Sequence, residues 1–315
     1  MAQNNELMFL NTGCFVCHSY VEHMKIISTL VLVLLLASSI AHSQGLVSGW
    51  MQGKGKTAAA LNGFTEAYTR YYVGQQQTNN PQLGQITMSG VTLYLGAGIT
   101  DWLDRVVNVP YVSASSTGGL WETVSGMQDL QAGLKIRPLS LYIDESRLDL
   151  IVGGVFTTPI SNYVPDSPVT IGHQATGIDG RIVAQYTTNH GLFMMAGIGY
   201  MARGTVALDR GFVVDVPDAF ESIGRIGWGS SLWYTDVWLQ NVVAQSGTNI
   251  GPGVPFPSNA QSYTRVGATL AYRVFSKISV IVGAMGTLAA RNVGHSTRFT
   301  LGVACDLPIW NGISL

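Results

Sequence analysis

In four separate stretches of this chain every charged side chain falls on one parity and apolar side chains fill the other. In Met127–Arg137, Asp129, Gln131, Lys135 and Arg137 share one side, and Leu130, Ala132, Leu134 and Ile136 the other. Asp179, Arg181 and Gln185 oppose Ile178, Ile182, Ala184 and Tyr186 in the second stretch. Arg265, Thr269 and Arg273 oppose Val266, Ala268, Leu270, Tyr272 and Val274 in the third. Arg298, Thr300 and Asp306 oppose Phe299, Leu301, Val303, Cys305 and Leu307 in the fourth. Only a strand, whose successive side chains point to opposite faces, sorts residues in this way; a helix would scatter them around its circumference.

Weaker alternation marks eight more strands: Ala60–Val73, Gln85–Ile99, Arg105–Ser115, Arg147–Thr158, Leu192–Ala207, Glu221–Tyr234, Asp236–Gln245 and Lys277–Arg291. The total is about twelve, each long enough for the roughly 9–11 tilted residues of a membrane strand. Thr100-Asp101-Trp102, Asn189-His190-Gly191 and Phe275-Ser276-Lys277 read as tight turns. Pro159–Ala175, Asp209–Ala219 and Ser246–Gln261 read as long loops rich in Pro, Gly and Asn. Short turns at one end and long loops at the other are the pattern of an outer-membrane barrel. Composition agrees. Only 11% of residues are charged, against roughly a quarter in a soluble domain, so part of the surface is expected to face lipid. Tyr71, Tyr72, Trp102, Tyr111, Trp121, Tyr142, Trp228, Trp233, Tyr234 and Trp238 fall mostly near strand ends, where the lipid–water boundary favours such rings.

One run, Ile26 to Ile40, is apolar enough to be a membrane helix, but it is short of the roughly 20 residues that a span requires. It follows Met24-Lys25 and ends in Ala41-His42-Ser43, the three parts of a secretory signal peptide, with cleavage expected after Ser43. Residues 1–23 carry Glu6 and Glu22 and no Lys or Arg, so Met24 is the expected start. Cys14-Phe15-Val16-Cys17-His18 matches the haem-attachment pattern C-x-x-C-H, but it precedes the signal and is read as a chance match. Cys305 is then the only cysteine of the exported chain, which allows no internal disulfide. The expected organisation is a signal peptide over 24–43, a short segment over 44–59 and an all-β transmembrane antiparallel barrel over 60–315.

Several motifs also resemble a known family. Gly49-Trp50 with Gly53-Lys54-Gly55, the strand Leu93-Tyr94-Leu95-Gly96-Ala97-Gly98-Ile99-Thr100-Asp101 and Val109-Pro110-Tyr111 are among them. Gly126-Met127-Gln128-Asp129-Leu130-Gln131-Ala132-Gly133-Leu134-Lys135 and Thr158-Pro159 complete the set. Together they resemble the outer-membrane family labelled MetA-pathway of phenol degradation, more distantly similar to transporters of hydrophobic compounds and fatty acids. Gln128 departs from the family's Gly and Ala97 interrupts its Tyr-Gly pair; the likeness covers the first half of the exported chain. It implies an outer-membrane channel for small aromatic compounds.

The sequence offers little other chemistry. Gly55-Lys56-Thr57 would end a phosphate-binding loop only if residue 50 were Gly, and it is Trp50. His173, His190 and His295 are too far apart for metal-ligand spacing. A lipid hydrolase would need His190 or His295 beside a serine such as Ser222 or Ser296, and nothing in the spacing selects a pair. With 17 Lys+Arg against 18 Asp+Glu there is no basic face for nucleic acid. No cofactor, metal or catalytic residue is expected. An Arg or Lys facing lipid at mid-membrane would cost about 2–4 kcal/mol. Asp129, Lys135, Arg137, Asp179, Arg181, Arg225, Arg265, Arg273 and Arg298 are therefore expected to line the lumen. The expected function is passive uptake of small, hydrophobic or aromatic solutes across the outer membrane. The alternatives are a closed surface-binding barrel and the lipid hydrolase. Expected partners are outer-membrane lipid, a small-molecule solute and the barrel-assembly machinery.

Overall fold

A computed structural model describes residues 46–308. The expected signal peptide, the C-x-x-C-H motif and the last seven residues lie outside the described residues. Among those described, no helix is long and apolar enough to cross a membrane.

Twelve antiparallel strands form one closed barrel. They are β1 (Lys56–Tyr68), β2 (Ile86–Gly98), β3 (Leu103–Ser116), β4 (Asp129–Ile143), β5 (Ser146–Pro159) and β6 (Gly177–Thr187). Then come β7 (Leu192–Arg203), β8 (Ala219–Gly229), β9 (Trp233–Ala244), β10 (Ser262–Phe275), β11 (Ile278–Arg291) and β12 (Thr297–Pro308). Each strand pairs with its sequence neighbours, and β1 closes on β12 in a register running from Lys56↔Pro308 to Ala67↔Thr297. Closure leaves no open edge, which a bilayer without water to satisfy backbone groups requires. A short piece, Val124–Met127, extends β4 along β3, and Gln128 between them donates its N–H to the Pro110 carbonyl at 2.9 Å.

All twelve expected strands are present, with shifts at their ends. β1 starts at Lys56, ahead of Ala60, and Arg70–Val73 belongs to a separate hairpin with Gln76–Asn79. The expected strand Glu221–Tyr234 is split. Ser230 Oγ accepts the N–H groups of Leu232 and Trp233, at 3.3 and 3.0 Å, and turns the chain between β8 and β9. The end of Leu192–Ala207 and the loop after it fold into a hairpin, Thr205–Ala207 with Val213–Asp215.

The alternation is that of a membrane barrel. In β4, Lys135 is 1% exposed and its neighbour Leu134 50%. In β6, Val183 is 0% and Ile182 48% exposed. The outward belt is capped by aromatic residues, with Trp102, Tyr142, Trp228, Trp233 and Tyr272 exposed at the tight-turn end and Tyr111 and Tyr200 toward the other. Two of the expected boundary aromatics face inward instead. Trp238 is buried against Gly267, and Tyr234 stacks on Phe193 inside the barrel. Their parity matches the inward Asp236, and position along the strand does not decide which face a side chain takes.

The tight turns define the periplasmic end and the long connections the extracellular end. There Asn292, buried in the left-handed conformation at φ 57°, ties three connections together. Its carboxamide oxygen accepts from Gly74 and Ile250 N–H, and its nitrogen donates to the Thr248 and Ala260 carbonyls.

Candidate functional site: the lumen and its two closures

The nine charged residues expected inside all sit on the inward parity of their strands, and most form ion pairs there. Lys135 on β4 lies 3.9 Å from Asp104 on β3, both fully buried. Arg181 is held by Asp179 at 2.8 Å and Glu221 at 2.6 Å, and Gln240 donates to Glu221 at 3.0 Å. Arg225 pairs with Asp236, which also accepts from the Tyr234 hydroxyl at 2.7 Å. Glu66 takes Arg298 at 2.5 Å and Arg265 at 3.3 Å. Those two guanidinium groups lie over the Phe64 and Tyr263 rings, at 4.5 and 4.3 Å. Arg137 reaches Asp149 at 3.9 Å and donates to the Asp101 carbonyl at 2.8 Å. Arg273 is different: it sits 41% exposed at the periplasmic rim, 3.5 Å from Asp306. Among the described residues Asp129 has no ion-pair partner, and it accepts the Tyr163 hydroxyl at 2.7 Å.

The partners Glu66, Asp104, Asp149, Glu221 and Asp236 were not among the expected lining residues. Each has the inward parity of its strand, so following the weaker alternation of the other strands as far as Asp104 finds them. A carboxylate left alone in so dry a place would be costly, and pairing offsets the cost of taking both charges out of water.

Two structural features partly fill the lumen, and neither is readable from strand patterns. The first is the segment preceding β1. Val47, 3% exposed, packs between Ile151, Val155, Val183, Met195 and Ile223, all inward residues of β5 to β8. Trp50 meets Phe193 edge-on at 5.2 Å, and its carbonyl accepts from Lys135 Nζ. Gln52 N–H donates to Asp104 at 2.8 Å and Lys54 N–H to Asp101 at 3.0 Å, bringing the chain to the periplasmic rim where β1 begins. The buried pair Lys135–Asp104 is thus also the clasp of this segment. Close approach demands glycine here: a Cβ at Gly98 would lie 1.9 Å from the Gly53 carbonyl oxygen.

The second feature is the connection between β5 and β6, which folds into the extracellular mouth. Tyr163, Val169 and Ile171 are buried against Ile86, Val112 and Ala114 of the wall. Gln128 donates to the Ile171 carbonyl, Ser161 to the Met127 carbonyl, and Gln174 N–H to the Tyr163 hydroxyl at 2.8 Å. Burial and the Asp129 carboxylate hold the Tyr163 phenol well above its usual range. Burial, with Arg203 adding to it, pushes the His173 imidazole down to about 4.

Beside the first of these features remains a cavity of about 430 Å³. Leu46, Ser48, Trp50 and Gln52 of the segment line one side. Asn62, Tyr94, Asn108 and Gln131 present neutral hydrogen-bonding groups, Asp179, Arg181 and Glu221 paired charges, and Ala60, Ile281, Met201 and Ala304 apolar surface.

Among the described residues, neither the His190 nor the His295 side chain is hydrogen-bonded to a serine. His190 lies in the turn between β6 and β7, where its carbonyl accepts from Trp228 Nε1 at 2.9 Å. His295 lies at the opposite end, its ring 6.1 Å from that of Tyr72. Ser296 bonds Thr287 at 3.2 Å. Among the described residues no group of three or more His, Cys, Asp or Glu side chains is placed to hold a metal ion.

Strand number, closure, outward apolar belt and charged interior define a β-barrel of the bacterial outer membrane. No family model matches the chain, and no curated protein matches it. Solved structures do. An outer-membrane channel from Pseudomonas putida F1 superposes with a TM-score of 0.70 at 14% identity, covering 84% of this chain and 100% of that one. The NanC porin gives 0.47 at 9% identity, over 78% and 100% of the two chains. The translocator domain of the autotransporter NalP from Neisseria meningitidis gives 0.44 at 10%, over 91% and 97%.

Proposed function

We propose that this barrel is an outer-membrane channel for passive uptake of small, mainly hydrophobic or aromatic compounds, with the segment before β1 as a displaceable closure. The carrying observation is the lumen itself. A solid structural barrel would fill its axis with side chains from the wall, whereas this one leaves a cavity of about 430 Å³. It is bounded by a short segment held by a few hydrogen bonds and the side chains of Val47 and Trp50. Such contacts are individually worth about 0.5–3 kcal/mol, so the segment can leave without unfolding the wall.

Three further points support the solute class. Part of the mouth is apolar, with Ile86, Val112 and Ala114 packed beneath the inward loop. The inner charges are largely paired among themselves, which leaves little net field to select an ion. The motifs Leu93–Asp101 and Gly126–Lys135 resemble a family named for phenol degradation. The neighbouring channel from Pseudomonas putida F1 supports the channel class through shared fold. Lumen-lining roles for Asp129, Lys135, Arg137, Asp179, Arg181, Arg225, Arg265, Arg273 and Arg298 belong to the same proposal.

A second reading, a closed barrel that works through its loops, is favoured by the same two closures if they never open. Solute entry into liposomes holding the full chain separates the two, with graded sugars and small aromatics as probes. Entry of aromatics ahead of sugars of similar size is expected, and removal of Leu46–Gly53 should speed it. No entry of any solute, even after that removal, would overturn the channel reading in favour of the closed barrel.

A further inference from the structure

Outside the membrane, a cleft of about 360 Å³ opens where four extracellular connections converge. That is the lower end of the roughly 300–1,000 Å³ typical of small-molecule sites, enough for a one- or two-ring compound. Trp121 comes from the β3–β4 connection, Val164 and Asp166 from β5–β6, Asp209 and Arg210 from the β7–β8 hairpin, and Phe256 from β9–β10. Asp166 ties three of them together, pairing with Arg210 and accepting Phe256 N–H at 2.9 Å. Arg210 is also steadied over the Phe212 ring at 5.3 Å.

The chemistry of the cleft is uneven in a way that selects a ligand. Arg210 is neutralised by Asp166, so its charge is spent within the protein. Asp209 is exposed and has no ion-pair or hydrogen-bond partner among the described side chains. Two carboxylates against one guanidinium leave the cleft one negative charge in excess. The Trp121 indole and the Phe256 ring line the same cleft, and aromatic faces attract cations. An anion would meet the excess charge, and a purely apolar ligand would strip water from Asp209 without replacing it.

We infer that this cleft is a binding site for a small organic cation, an amine or quaternary ammonium carried on a ring or short alkyl body. The ammonium takes Asp209 and an aromatic face, and the body takes the apolar wall formed by Trp121, Val164 and Phe256. The site is independent of the channel reading, because it lies outside the lumen and is assayed by binding alone.

The test compares benzylamine, benzyl alcohol and benzoate, which differ chiefly in charge, by ligand-detected NMR on the detergent-purified full chain at low salt. Benzylamine should bind about fivefold more tightly than benzyl alcohol, as one exposed ion pair with a cation–π contact allows, and benzoate should bind least. D209N should remove the preference for the amine while leaving benzyl alcohol unchanged, and W121A should weaken both. Both substitutions are on exposed loop residues, and an unchanged thermal shift in gel mobility confirms the barrel is intact. Equal binding of amine and alcohol, tightest binding by benzoate, or an amine preference that survives D209N would each overturn the assignment.

Discussion

The substitution Gly49→Val measures how firmly the segment before β1 is held in the lumen. A Cβ at Gly49 would lie 1.9 Å from Gln185 Oε1, 2.6 Å from its Cδ and 3.0 Å from its Cβ. Gln185 is fully buried on β6 and has little room to retreat. Overpacking of this kind costs about 1–3 kcal/mol when the surroundings must absorb it. Here the wall is a hydrogen-bonded sheet and the segment is not, so the strain is relieved by the segment leaving. At about 1.4 kcal/mol per tenfold, the displaced population should rise by about 5- to 150-fold. Single-channel recording in planar bilayers reads that population as the fraction of time at high conductance. The double variant Gly49→Val with Gln185→Ala restores the space and should return the recording toward the parent. An unchanged conductance distribution in the single variant would refute the argument, as would a double variant just as open as the single one.

Other consequences follow from separate parts of the molecule. Leu134→Arg, on the lipid side of Lys135, should destabilise the barrel by about 2–4 kcal/mol in urea unfolding from liposomes, the cost of a guanidinium facing the acyl chains. Asn292→Ala abandons two N–H donors and two carbonyls at the loop end and keeps a left-handed backbone, so a loss of about 2–3 kcal/mol is expected. Asn292→Gly should recover only the backbone part, and equal stability of the two variants would contradict this account. His173 titrates in the β5–β6 connection. Its folded-state pKa, about 4, is below the ordinary 6.5, so the unfolded loop binds the proton first. Its contribution is whole above pH 6.5 and is lost as pH falls toward 4. Protease cleavage of this connection should therefore increase across that window, and His173→Gln should flatten the dependence.

The strands were legible because their cause is local. Residues such as Leu134 and Lys135 must face lipid and interior in alternation, and a period of two is written in the sequence wherever the two sides differ in polarity. Where they do not differ, the reading blurs. The run Leu148–Val155 puts Ile151 and Val155 on the inner face, a trace of the apolar seat for Val47 that parity alone cannot distinguish from a lipid-facing run. Trp238 and Tyr234, expected at the boundary from their position, lie inside because parity overrides it. Strand ends shifted where side chains capped the turn, as Ser230 does between β8 and β9.

The sequence by itself therefore determined the all-β class, the number of strands and which charges face inward. All three follow from residue spacing and transfer cost. Only the tertiary structure decided which charges pair. Glu66 and Arg298 are 232 positions apart and meet because β1 closes on β12. It also decided that Val47 and Trp50 lie within the lumen and Tyr163 in its mouth, and that four connections enclose one cleft. Segments without a periodic pattern are placed by the surface they find, and that surface exists only once the barrel has closed.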